Sequence, residues 1–134
     1  MVLLAVWAVA LGTSATVGTA ASSAPTSLKI TYWPDGRQGT VKPTVWTLAC
    51  NPARGTVRRP SVACRRLARH GVSLFTPVPP DAACTQIYGG PFAARVTGVV
   101  AGKSVWATFV RTNGCHISRW DRLSPWLLPR IATA

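Results

Sequence analysis

Alternating apolar and polar residues predict β-strands in the first half of the chain. In Ser27–Trp33 the apolar residues Leu28, Ile30 and Tyr32 occupy every second position, and the Pro-Asp-Gly sequence that follows is typical of a turn. A second strand is predicted for Thr44–Ala49. Two neighbouring strands of this kind indicate an antiparallel sheet.

A β-hairpin is predicted in the second half of the chain. Residues 93–100 and 104–111 are mostly apolar and surround an Ala-Gly-Lys turn. The pattern assigns Val96 and Trp106 to one face of the hairpin and Phe109 to the other, so both faces are partly apolar. One face can pack on a helix, and the need to cover the other favours a self-paired sheet or another chain.

One helix is predicted between the two pairs of strands, over residues 61–70. Val62 and Leu67 belong to its apolar face, Ser61 is a suitable N-cap, and Gly71 is a natural end. No second helix is predicted after it. The tail, residues 122–134, contains tryptophan, leucine and proline, and we expect it to dock either on the core or on a partner.

The N-terminus has the features of a signal peptide. Residues 2–11 form an apolar stretch that is too short to span a bilayer, and small residues follow up to position 24, although no Lys or Arg follows Met1 directly. We therefore expect a signal peptide over residues 1–24 and one secreted domain over residues 25–134, with its core at about 28–121. After cleavage no membrane segment is predicted.

The cysteines indicate disulfides rather than a metal site. An even number in a short exported chain is typical of two disulfides, and the sequence contains four: Cys50, Cys64, Cys84 and Cys115. Zinc is the weaker interpretation, because there is no CxxC spacing and His70 and His116 are the two histidines. Neither a metal nor another cofactor is predicted.

The chain is strongly basic, with 15 Lys and Arg against 3 Asp and Glu and a net charge of +12. A solvated basic surface explains this composition without any function. The alternative is a cationic disulfide-stabilised module that binds anionic polymers through Arg54, Arg58, Arg59, Arg65, Arg66 and Arg69. No specific nucleic-acid partner is predicted.

Enzymatic activity is not predicted from these residues. The acidic residues are Asp35, Asp81 and Asp121, and a helix and a hairpin separate the two histidines. No acid/base pair can be assembled from this set with a defined geometry.

Five short motifs, in this order, carry a resemblance to a known family. They are TLACNP at 47–52, PSVACRRLA at 60–68, CTQIYGGP at 84–91, VTGVVAGKSV at 96–105 and TNGC at 112–115. Their order and spacing resemble the Streptomyces subtilisin inhibitor family of small secreted serine-protease inhibitors, over residues 28–121.

The resemblance implies a fold and a pairing of the cysteines. The fold class is α+β, with an antiparallel sheet of about five strands packed against one main helix. The implied disulfides are Cys50–Cys64 and Cys84–Cys115, one of the connectivities that four cysteines allow. A homodimer that forms through the sheet is also implied.

The resemblance further implies a reactive bond between Gln86 and Ile87. The reactive loop would comprise Cys84, Thr85, Tyr88, Gly89, Gly90 and Pro91 in addition to that bond. Asn113 would support the loop from beneath through its amide. The implied partner is an extracellular serine protease, subtilisin-like in the first place and trypsin-like in the second.

Two departures from the family pattern predict weak inhibition. Gln86 stands where strong inhibitors carry Met, Lys or another residue that fills a protease pocket. Gly89 and Gly90 place one more flexible residue before Pro91 than the best-known members of the family have. We expect this to loosen the side of the loop that follows the reactive bond. The cationic module without inhibition remains the alternative function.

Overall fold

The computed structural model describes residues 11–16, 18 and 24–132. Over this part of the chain the order of elements is β1 (Ser27–Trp33), β2 (Thr44–Ala49), β3 (Arg54–Gly55), α1 (Pro60–His70), a 3₁₀ helix (Gly71–Phe75), β4 (Ala93–Val100), β5 (Lys103–Val110) and α2 (Gly114–Asp121). Most of the predicted signal peptide lies outside the described residues. Among the residues that are described, no helix is long and apolar enough to cross a membrane.

The described strands form a five-stranded antiparallel sheet in the order β3-β2-β1-β4-β5, with β1 in the middle. Ile30 of β1 pairs with Trp46 of β2 on one side and with Val96 of β4 on the other. Leu28 and Ile30 are buried and Lys29 between them is exposed, as the alternation predicted. The α+β fold class is therefore confirmed.

β4 and β5 form the predicted hairpin, but its faces differ from the prediction. The turn consists of Ala101 and Gly102, both with positive φ (47° and 77°), a geometry that suits the twist of paired strands. It pairs Val96 directly with Ala107, and directly paired residues share a face. Val96 and Ala107 are therefore buried together while Trp106 is exposed on the outer face, so the assignment of Val96 and Trp106 to one face is wrong.

α1 begins at Pro60, one residue before the predicted range. The prediction of Ser61 as N-cap is wrong, because Arg59 occupies that position and makes no side-chain capping hydrogen bond. Proline suits the first helical position, since its φ is already helical and the missing N–H would have no partner there. The predicted end is confirmed: Gly71 has a φ of 61° and its N–H bonds to a carbonyl of the last turn.

α1 covers the part of the inner face of the sheet that belongs to β2 and β3. Its Ala63 and Leu67 are buried in the core. Cys64 on the same helix is bonded to Cys50 at the end of β2, with 5.7 Å between the Cα atoms. The two cysteines are 14 residues apart in the sequence. A closed loop of about that length stabilises the fold by about 3 kcal/mol in the entropic treatment.

α2 and the tail complete the core, and sequence reasoning did not predict this helix. Trp120 of α2 is fully buried, and its indole N–H donates to the carbonyl of Pro129 at 3.0 Å. The buried tail residues are Leu123, Trp126, Leu127 and Leu128. Of the two positions expected for the tail, the described part therefore docks on the core of its own chain.

The outer face of the sheet presents apolar and cationic side chains to solvent. Trp106 is 70% exposed and Val45 is 50% exposed. The guanidinium of Arg95 lies 4.5 Å from the ring centroid of Trp106 and 5.8 Å from that of Trp33. These distances are typical of cation–π contacts, so Arg95 ties the two tryptophans into one surface cluster.

Candidate functional site

Residues 84–91 lie between the proline-rich residues 77–80 and β4 and have no regular secondary structure. Gln86 at the centre of this segment is exposed, Ile87 is 60% exposed and Tyr88 is 66% exposed. Two adjacent large side chains in solvent contribute nothing to the core of the domain. Exposed apolar side chains of this kind are typical of a surface that binds a partner.

A disulfide fixes the start of this loop. Cys84 is bonded to Cys115 in the first turn of α2, with 5.3 Å between the Cα atoms. Together with the Cys50–Cys64 bond, this confirms the pairing implied by the resemblance. All four cysteines are oxidised, so none is available as a zinc thiolate, and the described residues contain no group of three or more His, Cys, Asp or Glu that could hold a metal.

Two backbone hydrogen bonds hold the loop on the segment between β5 and α2. The N–H of Gly114 donates to the carbonyl of Thr85 at 2.9 Å, and the N–H of Gly89 donates to the carbonyl of Arg111 at 2.7 Å. Residues 86–88 lie between these two bonds. We call the two bonds and the Cys84–Cys115 disulfide the loop clamp, because together they fix the chain on both sides of the exposed residues.

Glycines allow the loop to approach its support closely. A Cβ atom at Gly114 would overlap the side-chain oxygen of Thr85. A Cβ atom at Gly89 would lie 2.9 Å from the side chain of Ile117, closer than real Cβ atoms are found, and 3.1 Å from Cβ of Arg111, which is a tight contact. Both positions of the loop clamp therefore favour a residue without a side chain.

Gly90 has a different reason to be glycine. Its φ is 105°, outside the range that side chains favour, and a Cβ atom there would collide with the ring of Phe92. The loosening expected from the two adjacent glycines stays a prediction. Against it stands the hydrogen bond that ties Gly89 to Arg111.

Asn113 lies in the segment that supports the loop, directly before α2. It is the N-cap of that helix, and its side-chain oxygen accepts a hydrogen bond from the N–H of His116 at 3.1 Å. With the oxygen used in this way, the amide NH₂ group is the part of the side chain left to donate elsewhere. The predicted support of the loop by this amide stays a prediction.

Arg111, whose carbonyl holds Gly89, is itself fixed in the core. Its side chain is 3% exposed and donates from Nη1 to Oδ1 of Asp121 at 2.6 Å. The guanidinium also lies 5.8 Å from the ring centroid of Trp120. A buried charge must be paired to be tolerated, and this pair anchors the backbone beneath the loop.

Arg119 of α2 holds the segment that leads into the loop. It is 5% exposed and donates to three carbonyls, those of Thr76 at 2.8 Å, Thr108 at 2.7 Å and Phe75 at 3.0 Å. Burial, and secondly the nearby charge of Arg122, lower the pKa of Arg119. The residue links β5 to the end of the 3₁₀ helix, from which the proline-rich residues 77–80 run towards Cys84.

These supporting residues were missed in the sequence, for two different reasons. α2 had a recognisable signal: Asn113 is a good N-cap, and Ile117 and Trp120 follow at helical spacing. Arg111 and Arg119 had none, because arginines are rarely buried and the sequence contains many exposed ones. Their roles depend on which carbonyls the fold brings close to them.

A cleft of about 720 Å³ lies beside the loop on the side of Tyr88. It is bounded by the turn after β1, including Asp35 and Arg37, and by Pro91 and Phe92 at the end of the loop. The site thus combines an exposed loop with an adjacent cleft. Such a surface can bind another protein through its backbone and exposed side chains.

Comparison with known proteins identifies the family. Residues 24–113 match the family described as subtilisin inhibitor-like. A solved structure of Streptomyces caespitosus sermetstatin in complex with Bacillus licheniformis subtilisin matches with 26% identity and a TM-score of 0.48, and the match covers 71% of this chain and 90% of that chain. No curated protein matches significantly. Because the family match spans most of the chain, this protein belongs to the subtilisin inhibitor-like family, whose members are protease inhibitors rather than enzymes.

Proposed function

We propose that this protein inhibits subtilisin-like serine proteases by presenting residues 84–91 as a substrate-like loop, with the Gln86–Ile87 bond at the catalytic centre of the protease. The observation that carries the proposal is the loop clamp. It fixes the chain on both sides of exposed residues 86–88 through the Cys84–Cys115 disulfide and two hydrogen bonds. Membership of the family supports the same function.

The physical advantage of a fixed loop is entropic. A protease binds its substrate as an extended strand, and a flexible chain must lose conformational freedom to adopt that shape. Ordering the backbone costs about 1–2 kcal/mol per residue, so fixing residues 86–88 in advance saves about 3–6 kcal/mol on binding. This saving strengthens binding by at least about 100-fold.

The loop clamp also explains why a cut would not release the loop. If the Gln86–Ile87 bond is hydrolysed, the new C-terminal end stays attached through Cys84–Cys115 and the Gly114 hydrogen bond. The new N-terminal end stays attached through Gly89. The two ends remain close together, so that reformation of the bond competes with dissociation.

The first test is inhibition itself. The mature protein is incubated with subtilisin and with trypsin, residual activity is measured over time, and mass spectrometry locates any cut. We expect inhibition of subtilisin with one slow cut between Gln86 and Ile87, and weaker inhibition of trypsin, since a neutral glutamine cannot pair with its acidic pocket. Rapid digestion at many sites, or undiminished subtilisin activity, would contradict the proposal.

The exposed Gln86 should limit affinity, and this can be tested by substitution. Gln86→Met places an apolar side chain in the binding pocket of the protease. Burial of that side chain contributes about 1.5–3 kcal/mol to binding. We expect the inhibition constant for subtilisin to fall by about 10- to 100-fold. The control is Ala68→Met on the exposed side of α1, which adds the same side chain away from the loop and should leave inhibition unchanged.

We further propose that Asn113 supports the loop with its amide NH₂ group. Asn113→Asp separates this role from capping, because the carboxylate retains the oxygen that accepts from His116 but has no N–H to donate. We expect weaker inhibition at unchanged thermal stability. Unchanged inhibition would leave Asn113 with its capping role.

The outer face of the sheet is the proposed surface for a homodimer. The exposed Trp106 and Val45 on this face support a contact with a second copy. Trp106→Asp should convert the dimer to a monomer in sedimentation experiments. The matched control is Val41→Asp, at a residue that is 51% exposed in the segment between β1 and β2. A monomeric wild-type protein would contradict this part of the proposal.

We also propose that the protein is secreted and that residues 1–24 are removed. Both disulfides support an oxidising compartment. N-terminal sequencing of the exported protein locates the cleavage site, and an intracellular product that retains residues 1–24 would contradict the assignment.

A further inference from the structure

A second concave surface lies between the start of α1 and the tail. It has a volume of about 820 Å³ and is bounded by four arginines, Arg58, Arg59, Arg66 and Arg130, and by Trp46 and Trp126. We call it the arginine groove. None of its lining residues belongs to the reactive loop or to the cleft beside it.

The charge in the arginine groove is not neutralised by the chain's aspartates. Arg58, Arg59, Arg66 and Arg130 are exposed, and the three acidic residues of the sequence, all within the described part, do not line the groove. One of them, Asp121, is engaged with Arg111. Four like charges around one depression repel one another, and a negatively charged ligand removes this repulsion.

The kind of anion follows from the shape of arginine and the size of the groove. A guanidinium offers a fork of N–H donors that matches two oxygens of one phosphate. The groove is much larger than a single phosphate, so that it can accommodate several consecutive groups of a chain. The four arginines are therefore suited to an extended polyanion.

The tryptophans indicate that this polyanion is recognised without aromatic bases. Trp126 is 5% exposed, its indole N–H donates to the carbonyl of Arg122, and the guanidinium of Arg66 lies 5.7 Å from its ring centroid. Trp46 is half-buried and stacks on Tyr32 at 5.9 Å. Their faces are largely occupied, so a nucleobase would gain little by stacking there, unlike in single-strand-binding proteins.

We propose that the arginine groove binds a linear polymer of phosphate groups that carries no bases. This binding is independent of protease inhibition, because the groove and the reactive loop share no residues. The protein can therefore be held on a phosphate-rich polymer while its loop remains accessible to a protease. The high net charge of +12 also accelerates the encounter with such a polymer.

Two variants with equal charge test the proposal. The groove variant carries Arg58→Gln, Arg59→Gln, Arg66→Gln and Arg130→Gln. The control variant carries Arg54→Gln, Arg65→Gln, Arg69→Gln and Arg122→Gln, four exposed arginines outside the groove. Binding of inorganic polyphosphate is measured by calorimetry at several salt concentrations, with single-stranded DNA and polyglutamate at the same concentration of charge as comparison ligands.

We expect the groove variant to bind polyphosphate at least about tenfold more weakly than the wild type, and the affinity of the control variant to fall by less than about threefold. Because four phosphate contacts are removed, the salt dependence of the groove variant should also flatten, by a slope of about 3. Equal weakening in the two variants, or no binding by the wild type at low salt, would overturn the proposal. So would polyglutamate binding as tightly as polyphosphate, or single-stranded DNA binding more tightly than polyphosphate.

A third variant guards against damage to the fold. Substitution of the four groove arginines by lysine preserves the charge but removes the fork of donors. We expect its salt dependence to match the wild type and its affinity to be intermediate. An affinity equal to that of the wild type would contradict specific recognition by guanidinium groups. Thermal unfolding of every variant shows that the comparison concerns folded protein.

Discussion

The core and residues 84–91, the proposed reactive loop, are held by different forces. The core consists of apolar residues contributed by the sheet, both helices and the tail, and residues such as Ile30, Ala63 and Trp120 are fully buried. The loop exposes Ile87 and Tyr88, and it is held by one disulfide and two backbone hydrogen bonds. The core is therefore stabilised by many interchangeable contacts, and the loop by a few specific ones.

This difference implies that stability and inhibition can be changed separately. Apolar burial contributes about 25 cal/mol per Å² to folding and does not depend on one particular atom. The loop gains little from burial, so its shape depends on whether each part of the loop clamp is present. Substitutions in the core should alter the free energy of unfolding, whereas substitutions in the loop clamp should alter the inhibition constant.

The two disulfides offer the largest test of this separation. Removal of Cys84–Cys115, whose partners are 31 residues apart, should lower the free energy of unfolding by about 4 kcal/mol, and removal of Cys50–Cys64, 14 residues apart, by about 3 kcal/mol. The two losses of stability are similar. Inhibition should differ: loss of the first bond leaves only the two hydrogen bonds of the loop clamp, and the added freedom of residues 86–88 should weaken inhibition by about 10- to 100-fold.

The measurement pairs denaturant unfolding with titration of subtilisin by Cys84→Ser/Cys115→Ser and by Cys50→Ser/Cys64→Ser. The second variant serves as the control and should inhibit like the wild type wherever it is folded. Equal losses of inhibition in both variants would contradict the comparison, because they would show that the loop depends on stability alone.

A core substitution gives the opposite pattern. Leu67 on α1 is 2% exposed, and Leu67→Ala leaves a cavity that costs about 2–5 kcal/mol of stability. The inhibition constant, measured well below the unfolding midpoint, should remain within about twofold, because α1 has no part in the loop clamp. Weakened inhibition by the folded variant would show that the core positions the loop after all.

The sequence predicted the core better than the site, for a physical reason. Strands β1 and β2, the hairpin and α1 are encoded by periodic patterns in which many residues repeat the same signal. The face assignment in the hairpin failed because it depended on which residue opposes Val96, and the turn at Ala101 and Gly102 decides this. Register depends on the geometry of the turn as well as on the hydrophobic pattern, and the turn geometry was not known from the sequence.

For the candidate site, the sequence indicated a segment, whose role stays a prediction, but not the contacts that hold it. Resemblance pointed to the loop and the Cys84–Cys115 pair, and the structure confirms the disulfide. The support from Arg111 and Arg119 arises from contacts between distant parts of the chain, such as the bond from Arg119 to Thr76. Such contacts leave no local pattern, so a single sequence does not reveal them.

The smallest expected effect concerns the close approach of Gly114 to the loop. In Gly114→Ala the new Cβ overlaps the side-chain oxygen of Thr85 and must displace the loop, which we expect to weaken inhibition by about tenfold with a loss of stability near 1 kcal/mol. Thr85→Ala removes that oxygen, and Cβ of residue 85 then lies 3.2 Å from the added Cβ, a tight contact that a shift of a few tenths of an ångström relieves. Adding Thr85→Ala to Gly114→Ala should therefore restore most of the lost inhibition.

The double-mutant cycle separates this overlap from a general effect of alanine at position 114. If the two substitutions act independently, the double variant inhibits at least as poorly as Gly114→Ala, and the overlap is not what positions the loop. Recovery instead shows that the distance between Thr85 and the start of α2 sets the loop geometry. A shift of a few tenths of an ångström at one backbone contact would then control inhibition while the core remains unchanged.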